Sequence, residues 1–237
     1  MAGGDIVELE VVGSTNDWMA DRAAAGEPDG LWVRADRQNA GRGRRGRAWT
    51  SDTGNLFATT LCRPQPGEGP QQQLSFVAAL ALDHALQWWV PHERLSLKWP
   101  NDVLLDGVKC SGILLEGVSG CTIIGFGVNL SHHPEATERP ATSLMAAGIY
   151  PPSAAEFCAR LRDCFVACRA LWRAQGFEPI RERWLDRAAG RGGLLAARLG
   201  HETLTGQFDD LGVDGALKLR LVDGSVRAIH AGEVFGL

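Results

Sequence analysis

The sequence has no long apolar run, no excess of positive charge and no recognisable leader. A membrane helix needs about 20 consecutive apolar residues, and no window approaches that length. The 24 lysines and arginines face 28 aspartates and glutamates, which argues against a protein that mainly coats DNA or RNA. The first residues have neither the basic start nor the apolar core of a signal peptide. These absences predict a cytoplasmic protein with no membrane and no nucleic-acid partner.

The sequence also lacks the cysteine spacing of a zinc site and contains few lysines. The six cysteines form no C-x-x-C pair and no histidine stands at zinc-finger spacing, so the sequence offers no zinc framework. Lysine occurs only as Lys98, Lys109 and Lys218, beside 21 arginines. A lysine kept in a chain so rich in arginine points to a need for its compact, mobile ammonium group.

The length and composition permit a medium-sized domain with a small partner. The chain has 237 residues, 45% of them hydrophobic, as in ordinary globular proteins. Ser14 and Ser153 each stand three residues before an acidic residue, which predicts a capping box and a helix start at both places. From Leu194 onward, short alternating segments and turns predict a small β-barrel. We predict an α+β fold with one domain at 1–189 and a second at 190–237.

The middle of the chain predicts a meander of antiparallel strands. Between 95 and 130, short apolar segments are separated by tight turns at Asp106-Gly107 and Ser119-Gly120. Neighbouring strands of a meander present their side chains on a shared surface. We therefore expect three polar residues of this region to converge there: Asp102, Lys109 and Asn129.

Positive charge is most concentrated in the segment Gly41-Arg42-Gly43-Arg44-Arg45-Gly46-Arg47-Ala48-Trp49, which we call the arginine loop. The segment cannot bury a core, which predicts an exposed and mobile loop. Its guanidinium groups suit phosphates or carboxylates, and its glycines permit close backbone approach. The P-loop pattern is absent. A Gly/Arg run alone is typical of a solvated or nucleic-acid-binding loop, but Trp49, able to stack on a base, favours a nucleotide cradle.

Three further motifs place polar groups at strand ends. Lys98-Trp99-Pro100-Asn101-Asp102 has the chemistry of an ordinary turn, but Asp102 is also a candidate ligand for Mg²⁺, which binds few carboxylates besides substrate phosphates. Lys109-Cys110-Ser111-Gly112-Ile113-Leu114 carries an ammonium group at a hairpin. Gly125-Phe126-Gly127-Val128-Asn129 alternates glycine at a strand end, where a ligand can press against backbone.

Together these four motifs, in this order, resemble those of the biotin protein ligases. That family carries a G-R-G-R-x-G-R-x-W loop, a K-W-P-N-D segment, a K-x-x-G-I-L segment seven residues after its Asp, and a G-x-G-x-N strand end. The likeness extends over essentially the whole chain from Ile6. The resemblance implies a class II synthetase-like catalytic domain followed by a small SH3-like β-barrel.

The resemblance also implies a two-step reaction with ATP, biotin and Mg²⁺. Biotin and MgATP would form biotinyl-5′-AMP, and a lysine of a biotin carboxyl carrier protein would then take the biotinyl group. Attack of a carboxylate on a phosphate brings two anions together, so cations must screen them. By resemblance Lys109 lies between these groups and acts with Arg42 and Arg44. For Arg45 and Arg47 two interpretations are open: they bind the ligand, or they are solvated.

The family's biotin pocket implies a set of polar and small residues in this chain. Hydroxyl and amide groups would match the donors and acceptors of the ureido ring, and glycines would let backbone approach the ligand. Ser14 could serve as both helix cap and ligand. The implied biotin-binding residues are Ser14, Thr15, Asn16, Gln38, Gly41, Arg42, Lys109, Gly112 and Gly125.

On the nucleotide side, the resemblance implies stacking of Trp49 on adenine and a metal at Asp102. The remaining implied adenylate-binding residues are Arg42, Gly43, Arg44, Asn101, Lys109 and Asn129.

Some members of this family carry an N-terminal DNA-binding domain and act as repressors. Here the likeness begins within the first ten residues, so we expect the form that lacks this domain. By resemblance the C-terminal module assists ATP and carrier binding. We expect a monomer or a homodimer.

Three other functions remain open at this point. A lipoate–protein ligase would use the same adenylation chemistry, but Ser14 and Gln38 favour a polar ureido ring over a dithiolane. An RNA-binding module would use the arginine loop with Trp49 as a stacking platform, against which stands the acidic net charge. Biotin storage without chemistry would need neither Lys109 nor Asp102.

Overall fold

The computed structural model describes residues 5–135, 140–200 and 202–236, and its first sheet has seven strands. The spatial order is β1-β2-β3-β7-β6-β5-β4, with β1 and β2 parallel and the remaining neighbours antiparallel. The predicted meander is confirmed as the run β4 to β7. The strands are β1 (Ile6–Val12), β2 (Trp32–Gln38), β3 (Leu56–Cys62), β4 (Leu95–Lys98), β5 (Asp102–Leu105), β6 (Val108–Val118) and β7 (Cys121–Val128).

The two tight turns of the meander have the backbone geometry that their residues favour. Asp106 and Gly107 have φ of 51° and 78°, and Ser119 and Gly120 have φ of 50° and 74°. Two consecutive positive φ angles are the requirement of a type I′ hairpin turn, which matches the twist of the flanking strands. These turns fix the register of β5, β6 and β7.

Four helices accompany this sheet: α1 (Thr15–Ala24), α2 (Leu74–Leu86), α3 (Ala154–Gln175) and α4 (Glu178–Asp186). Helix α2 packs against α3, α4 and strands of the sheet, so its side chains are buried nearly all round. The capping box at Ser153 is confirmed, because its hydroxyl accepts a hydrogen bond from the Glu156 N–H. Helix α4 was not predicted; Pro179 lies in its first turn, where a missing N–H costs little.

The capping box predicted at Ser14 is wrong. Ser14 precedes α1, but its side chain makes no capping hydrogen bond. Its hydroxyl instead accepts from Nη1 of Arg42 at 3.4 Å. The serine is buried against the arginine loop, and its side chain faces the functional site rather than the helix backbone.

The C-terminal sheet has five antiparallel strands in the order β11-β10-β9-β8-β12, which fits the predicted SH3-like module. Its core joins that of the first sheet, since Trp184 of α4 lies between Phe76 and Phe208. The predicted boundary at 189/190 stays a prediction. The strands are β8 (Leu194–Arg198), β9 (Thr203–Leu211), β10 (Leu217–Arg220), β11 (Val226–Ile229) and β12 (Glu233–Gly236).

The arginine loop was predicted to be exposed, and the structure corrects this in part. Arg42 and Ala48 form an antiparallel bridge, and the Gly43 N–H donates to the Arg47 carbonyl at 2.7 Å. The loop is thus a short hairpin that turns through a 3₁₀ segment at Arg44–Gly46. Its tip at 45–48 is exposed, whereas Arg42 and Arg44 are half-buried.

Candidate active site

A cavity of about 290 Å³ opens on the face of the first sheet that α1 covers at one end. Its floor is made by glycines, because Gly112 pairs with Gly127 and Leu114 with Gly125 on one face of β6 and β7. Where side chains are absent from a sheet face, other groups can lie directly against the backbone. Further along the same strands, side chains such as Ile123 fill the face and pack against α1.

The structure brings almost the whole predicted set of site residues into this cavity. Gly41 does not line it, and the space beside its Cα is filled by Ser51, Trp49 and Gln38; its role in biotin binding stays a prediction. The predicted residues that line the cavity are Ser14, Thr15, Asn16, Gln38, Arg42, Gly43, Arg44, Trp49, Asn101, Asp102, Lys109, Gly112, Gly125 and Asn129.

One end of the cavity, which we call the polar end, is a chain of neutral hydrogen-bonding side chains. Gln38 Oε1 accepts from the Thr15 N–H at 2.8 Å and lies 3.0 Å from the Thr15 hydroxyl. Thr59 Oγ1 lies 2.8 Å from Thr15 Oγ1 and 2.7 Å from Asn16 Oδ1. Each side chain is thus oriented by the next, so the polar end has a fixed pattern of donors and acceptors.

Gly125 supports the polar end in an unexpected way. Its predicted role was to let backbone approach the ligand, but a Cβ at this position would lie 2.3 Å from Asn16 Oδ1. The space above Gly125 is therefore occupied by the Asn16 amide. This glycine is required by the protein's own network.

Arg42 is held between two carboxylates. Its guanidinium lies 2.7 Å from Oδ1 of Asp17 and 3.1 Å from Oε2 of Glu116. Burial by itself would lower the pKa of Arg42, but the hydrogen bonds to Asp17 and Glu116 outweigh it and raise the pKa. The positive charge of Arg42 is therefore offset before any ligand arrives.

The opposite end of the cavity, which we call the charged end, contains a guanidinium that is not paired with a carboxylate of the described residues. Arg44 donates to Asn101 Oδ1 at 3.2 Å and to the Gly232 carbonyl at 3.4 Å, and within the described ranges it makes no ion pair within 4.0 Å. Burial is the main reason that the pKa of Arg44 is lowered. Since a guanidinium stays protonated in proteins, this charge is available to an anion.

Lys109 and Asp102 meet at the charged end, with Nζ 2.6 Å from Oδ1. A β-bulge makes this contact possible. Asp102 pairs with Gly112 and Val103 with Ser111, but Leu104 then pairs with Lys109, so Cys110 is the extra residue. A regular strand would turn Lys109, three residues before Gly112, to the other face of the sheet.

Trp49 lines the cavity and lies directly on its glycine floor. A Cβ at Gly127 would lie 2.5 Å from its indole ring, and one at Gly112 would lie 3.0 Å from it. The Lys109 ammonium is 5.5 Å from the ring centroid, within the range of a cation–π contact. Trp49 Nε1 is buried and has no hydrogen-bond partner in the described part of the chain. The floor glycines are therefore the seat of this indole.

Asn101 and Asn129 lie at the same end and are partly engaged. The Asn101 side chain donates to the Ile113 carbonyl at 2.6 Å while its oxygen accepts from Arg44. The Asn129 side chain donates to the Thr142 carbonyl at 2.9 Å. Asn101 thus orients Arg44 in addition to lining the cavity.

The sequence analysis missed several site residues and did not decide the roles of Arg45 and Arg47. The buried carboxylate of Glu233, on β12, pairs with Arg47 and lies 3.9 Å from Arg45, so neither arginine is merely solvated. Thr59 and Glu116 each interrupt an apolar strand, a signal that a polar residue faces a site. No local signal marks Glu233, because its contacts span most of the chain.

A metal at Asp102 was predicted, and the donor set allows only a limited role for one. Within 5–135, 140–200 and 202–236, no three His, Cys, Asp or Glu side chains are grouped as a metal site. One oxygen of Asp102 is already bound to Lys109. Mg²⁺ commonly takes one or two carboxylates and otherwise water and substrate phosphates. Asp102 therefore fits a metal that arrives with a phosphate ligand.

Comparison with known proteins agrees with this fold and site. A model of the biotin/lipoate A/B protein ligase family matches residues 8–129, which include all four motifs. The chain belongs to this family. In structure, it is similar to the biotin protein ligase from Aquifex aeolicus in complex with biotin and ATP, with a TM-score of 0.84, 26% identity and coverage of 98% of this chain and 97% of that one.

Two curated relatives narrow the class. The chain is 41% identical to the biotin–[acetyl-CoA-carboxylase] ligase of Paracoccus denitrificans, over 90% of this chain and 93% of that protein. It is 33% identical to the enzyme of the same description from Mycobacterium tuberculosis, over 100% of this chain and 91% of that protein. The α+β fold and the family resemblance predicted from the motifs are confirmed.

Proposed function

We propose that this chain is an ATP-dependent biotin protein ligase. It would activate biotin as biotinyl-5′-AMP and transfer the biotinyl group to a lysine of a biotin carboxyl carrier protein. The observation that carries this proposal is a single cavity with a fixed neutral network at one end and Arg44 and Lys109 at the other. A ligand with a polar uncharged ring and a carboxylate matches both ends.

The polar end suits the ureido ring of biotin. That ring offers two N–H donors and one carbonyl acceptor, and the hydroxyl and amide groups of Ser14, Thr15, Asn16 and Gln38 supply the complementary atoms. A dithiolane ring or a bare acyl chain has no hydrogen-bonding groups to use the remaining donor and acceptor sites of this network. This difference favours biotin over lipoate or octanoate.

At the charged end, the first step joins the biotin carboxylate to the α-phosphate of ATP. A carboxylate oxygen attacks the α-phosphorus, the bond from that phosphorus to the bridging oxygen breaks, and pyrophosphate leaves. Lys109 and Arg44 lie where negative charge collects, in a half-buried setting that strengthens their effect. Mg²⁺ bound to the phosphates would screen further charge, with Asp102 as the protein carboxylate within reach.

In the second step, the amine of the carrier lysine attacks the carbonyl carbon of biotinyl-5′-AMP. An amide bond forms, the bond from that carbon to the phosphate oxygen breaks, AMP leaves, and the amine gives up a proton. The intermediate must be shielded from water until the carrier arrives. Most residues of the arginine loop, including Trp49, line the cavity, and we propose that they shield this intermediate.

We propose that the adenine and ribose of ATP bind in the part of the cavity lined by Trp49, Asn101, Asn129 and Gly43. The indole lies against Gly112 and Gly127, and we propose that it stacks on the base. Gly112 and Gly127 are proposed to hold the indole in place.

The partner, compartment and domain assignments extend the proposal. A biotin carboxyl carrier protein is the acceptor that this reaction needs. Within the described ranges no helix is both long and apolar enough to cross a membrane; we propose a cytoplasmic enzyme, a monomer or a homodimer. Residues 1–189 would form the catalytic domain, and 190–237 a module that completes the site through Glu233.

ATP–pyrophosphate exchange with Mg²⁺ tests the proposal, with biotin, lipoate, octanoate or no acid in parallel reactions. Exchange with biotin alone supports it and makes transfer to a carrier domain the next measurement. Exchange with lipoate or octanoate in place of biotin would keep the adenylation chemistry and overturn the substrate. Absence of exchange with every acid, in folded protein, would overturn the enzyme assignment. Salt-sensitive retention of RNA would then support the RNA-binding alternative.

A further inference from the structure

Glu116 occupies the junction between the polar end of the cavity and the arginine loop. It follows Gly112 and Leu114 at every second position of β6, so its side chain is on the cavity face. One carboxylate oxygen accepts from Asn16 Nδ2 at 2.6 Å. The same carboxylate accepts from Nη2 of Arg42 at 3.1 and 3.2 Å. A single side chain therefore touches both parts of the site.

The contact with Asn16 sets the orientation of an amide. A carboxylate accepts hydrogen bonds and donates none, so only the NH₂ end of Asn16 can face Glu116. The amide oxygen is then turned to Thr59, whose hydroxyl lies 2.7 Å away. If Glu116 were neutral and able to donate, the amide could rotate, and the donor pattern of the polar end would no longer be unique.

The contact with Arg42 anchors the start of the arginine loop. Asp17 on α1 binds the same guanidinium from another side, so Arg42 is tied to both a helix and a strand. The loop is held through Arg42, and this leaves Arg44, two residues further on, to reach into the cavity without a carboxylate partner in the described ranges.

We propose that Glu116 is a positioning residue that fixes the Asn16 amide and the arginine loop together, and so links binding of the acid to placement of the loop. This proposal depends on the function proposed above only because that function identifies the acid as biotin. Occupation of the polar end stabilises Asn16 in the orientation that Glu116 requires, and this in turn holds Arg42. Neither effect requires Glu116 to touch the reacting atoms.

The first test is independent of catalysis and uses the full chain without ligands. The arginine loop contains four trypsin sites, Arg42, Arg44, Arg45 and Arg47. Glu116→Gln is expected to increase the cleavage rate of the loop about fivefold or more because a charge-assisted anchor is lost. Glu8→Gln is the matched control. Its carboxylate also binds an arginine, Arg34 at 3.3 Å, but on β1 outside the cavity. Thermal unfolding of each variant verifies folding.

The second test measures the dissociation constant of biotin by calorimetry. Glu116→Gln is expected to weaken biotin binding about tenfold. Asn16→Ala is expected to weaken biotin binding less in the Glu116→Gln variant than in the unaltered protein, because the two residues share one interaction. Glu116→Asp, whose carboxylate reaches one partner at a time, is expected to give intermediate values. If Glu116→Gln is misfolded, Glu116→Asp carries both tests.

The outcomes separate this proposal from the proposed function. Unchanged cleavage in a folded Glu116 variant overturns the anchor, and faster cleavage with unchanged biotin affinity overturns the link. Full additivity with Asn16→Ala also overturns the link. If the unaltered protein does not bind biotin, the proposed function fails, while the cleavage rates still decide whether Glu116 anchors the loop.

Discussion

The two ends of the cavity differ in how completely their groups are engaged before any ligand is present. At the polar end, Thr15, Asn16 and Gln38 form a chain in which each side chain is oriented by a neighbour. At the charged end, Arg44 has no carboxylate within ion-pair distance, and the Trp49 N–H is buried without a partner in the described ranges.

This difference reflects what each end has to recognise. A neutral ring is distinguished by the positions of its donors and acceptors, so the protein must hold its own groups in one pattern. An anion is bound mainly through charge, which is supplied here by the half-buried Arg44, without an ion-pair partner in the described ranges, and by Lys109, which is paired with Asp102. A pocket that binds and activates an acid needs both properties.

Removing the central cation should produce the largest effect. Lys109→Ala is expected to reduce the rate of ATP–pyrophosphate exchange by roughly 10²–10³-fold, since a preorganised charge at the reacting groups is lost. Lys218→Ala, on β10 near Asp210, is the matched control and should have no effect. A rate within threefold of the unaltered protein would contradict the role given to Lys109.

Arg44→Gly should loosen the charged end without disturbing the polar end. We expect release of the activated acid to rise about tenfold or more, because a charge-assisted contact to phosphate is removed. The released intermediate would label bystander lysines, which mass spectrometry of added serum albumin would detect. Arg45→Gly at the exposed tip is the control. Unchanged retention of the adenylate would count against this assignment.

Gly127→Ala tests whether the glycine floor seats the indole. The new methyl group would lie 2.5 Å from Trp49, so the ring must move. The KM for ATP is expected to rise about tenfold while biotin affinity changes little, as is typical when a binding contact alone is lost. Gly117→Ala, on the same strand pair with nothing within 4 Å, is the control. Equal loss of biotin and ATP affinity would show that the two ends are not separable here.

Thr59→Val should affect the polar end alone. Loss of the hydroxyl leaves Asn16 Oδ1 without its partner, which is worth about 1 kcal/mol and hence about fivefold in biotin affinity. Thr60→Val makes the same change on the opposite face of β3, where the hydroxyl donates to the Leu31 carbonyl. Calorimetry with biotin compares the two, and an equal response would refute the special role of Thr59.

Ligands should produce the smallest effect, on the arginine loop itself. The sequence predicts a loop that is disordered without ligands and ordered with biotin and nucleotide. Since Arg42 and Arg47 are already held by Glu116 and Glu233, we expect protection from trypsin of only a few-fold, as when a local opening is suppressed. Equal cleavage with and without ligands would sink the idea of ordering.

The sequence predicted the meander, the second β module and the motif residues because these depend on local patterns. Tight turns such as Asp106-Gly107 define hairpins by themselves. The bulge at Cys110 could not be predicted from the sequence, because an extra residue in β6 is recognised only when the strand is paired with β5. Without it, strand alternation would put Lys109 on the wrong face, although its motif was identified correctly.

Contacts between distant segments were equally out of reach. Glu233 and Arg47 are separated by most of the chain, and no periodicity relates them. Ser14 illustrates a different limit. Its spacing to Asp17 is that of a capping box, yet its hydroxyl faces Arg42, because a nearby guanidinium competed successfully with the helix backbone.

Because the thiols are buried, the rate at which they react measures how often the core opens. Burial raises the pKa of Cys62, Cys110, Cys158 and Cys168 to about 12, so almost no reactive thiolate exists at neutral pH while the core is closed. Cys110 is adjacent to Lys109 at the bulge. The rate of alkylation of Cys110 therefore reports how often this part of the core opens, and we expect the rate to fall when biotin is added.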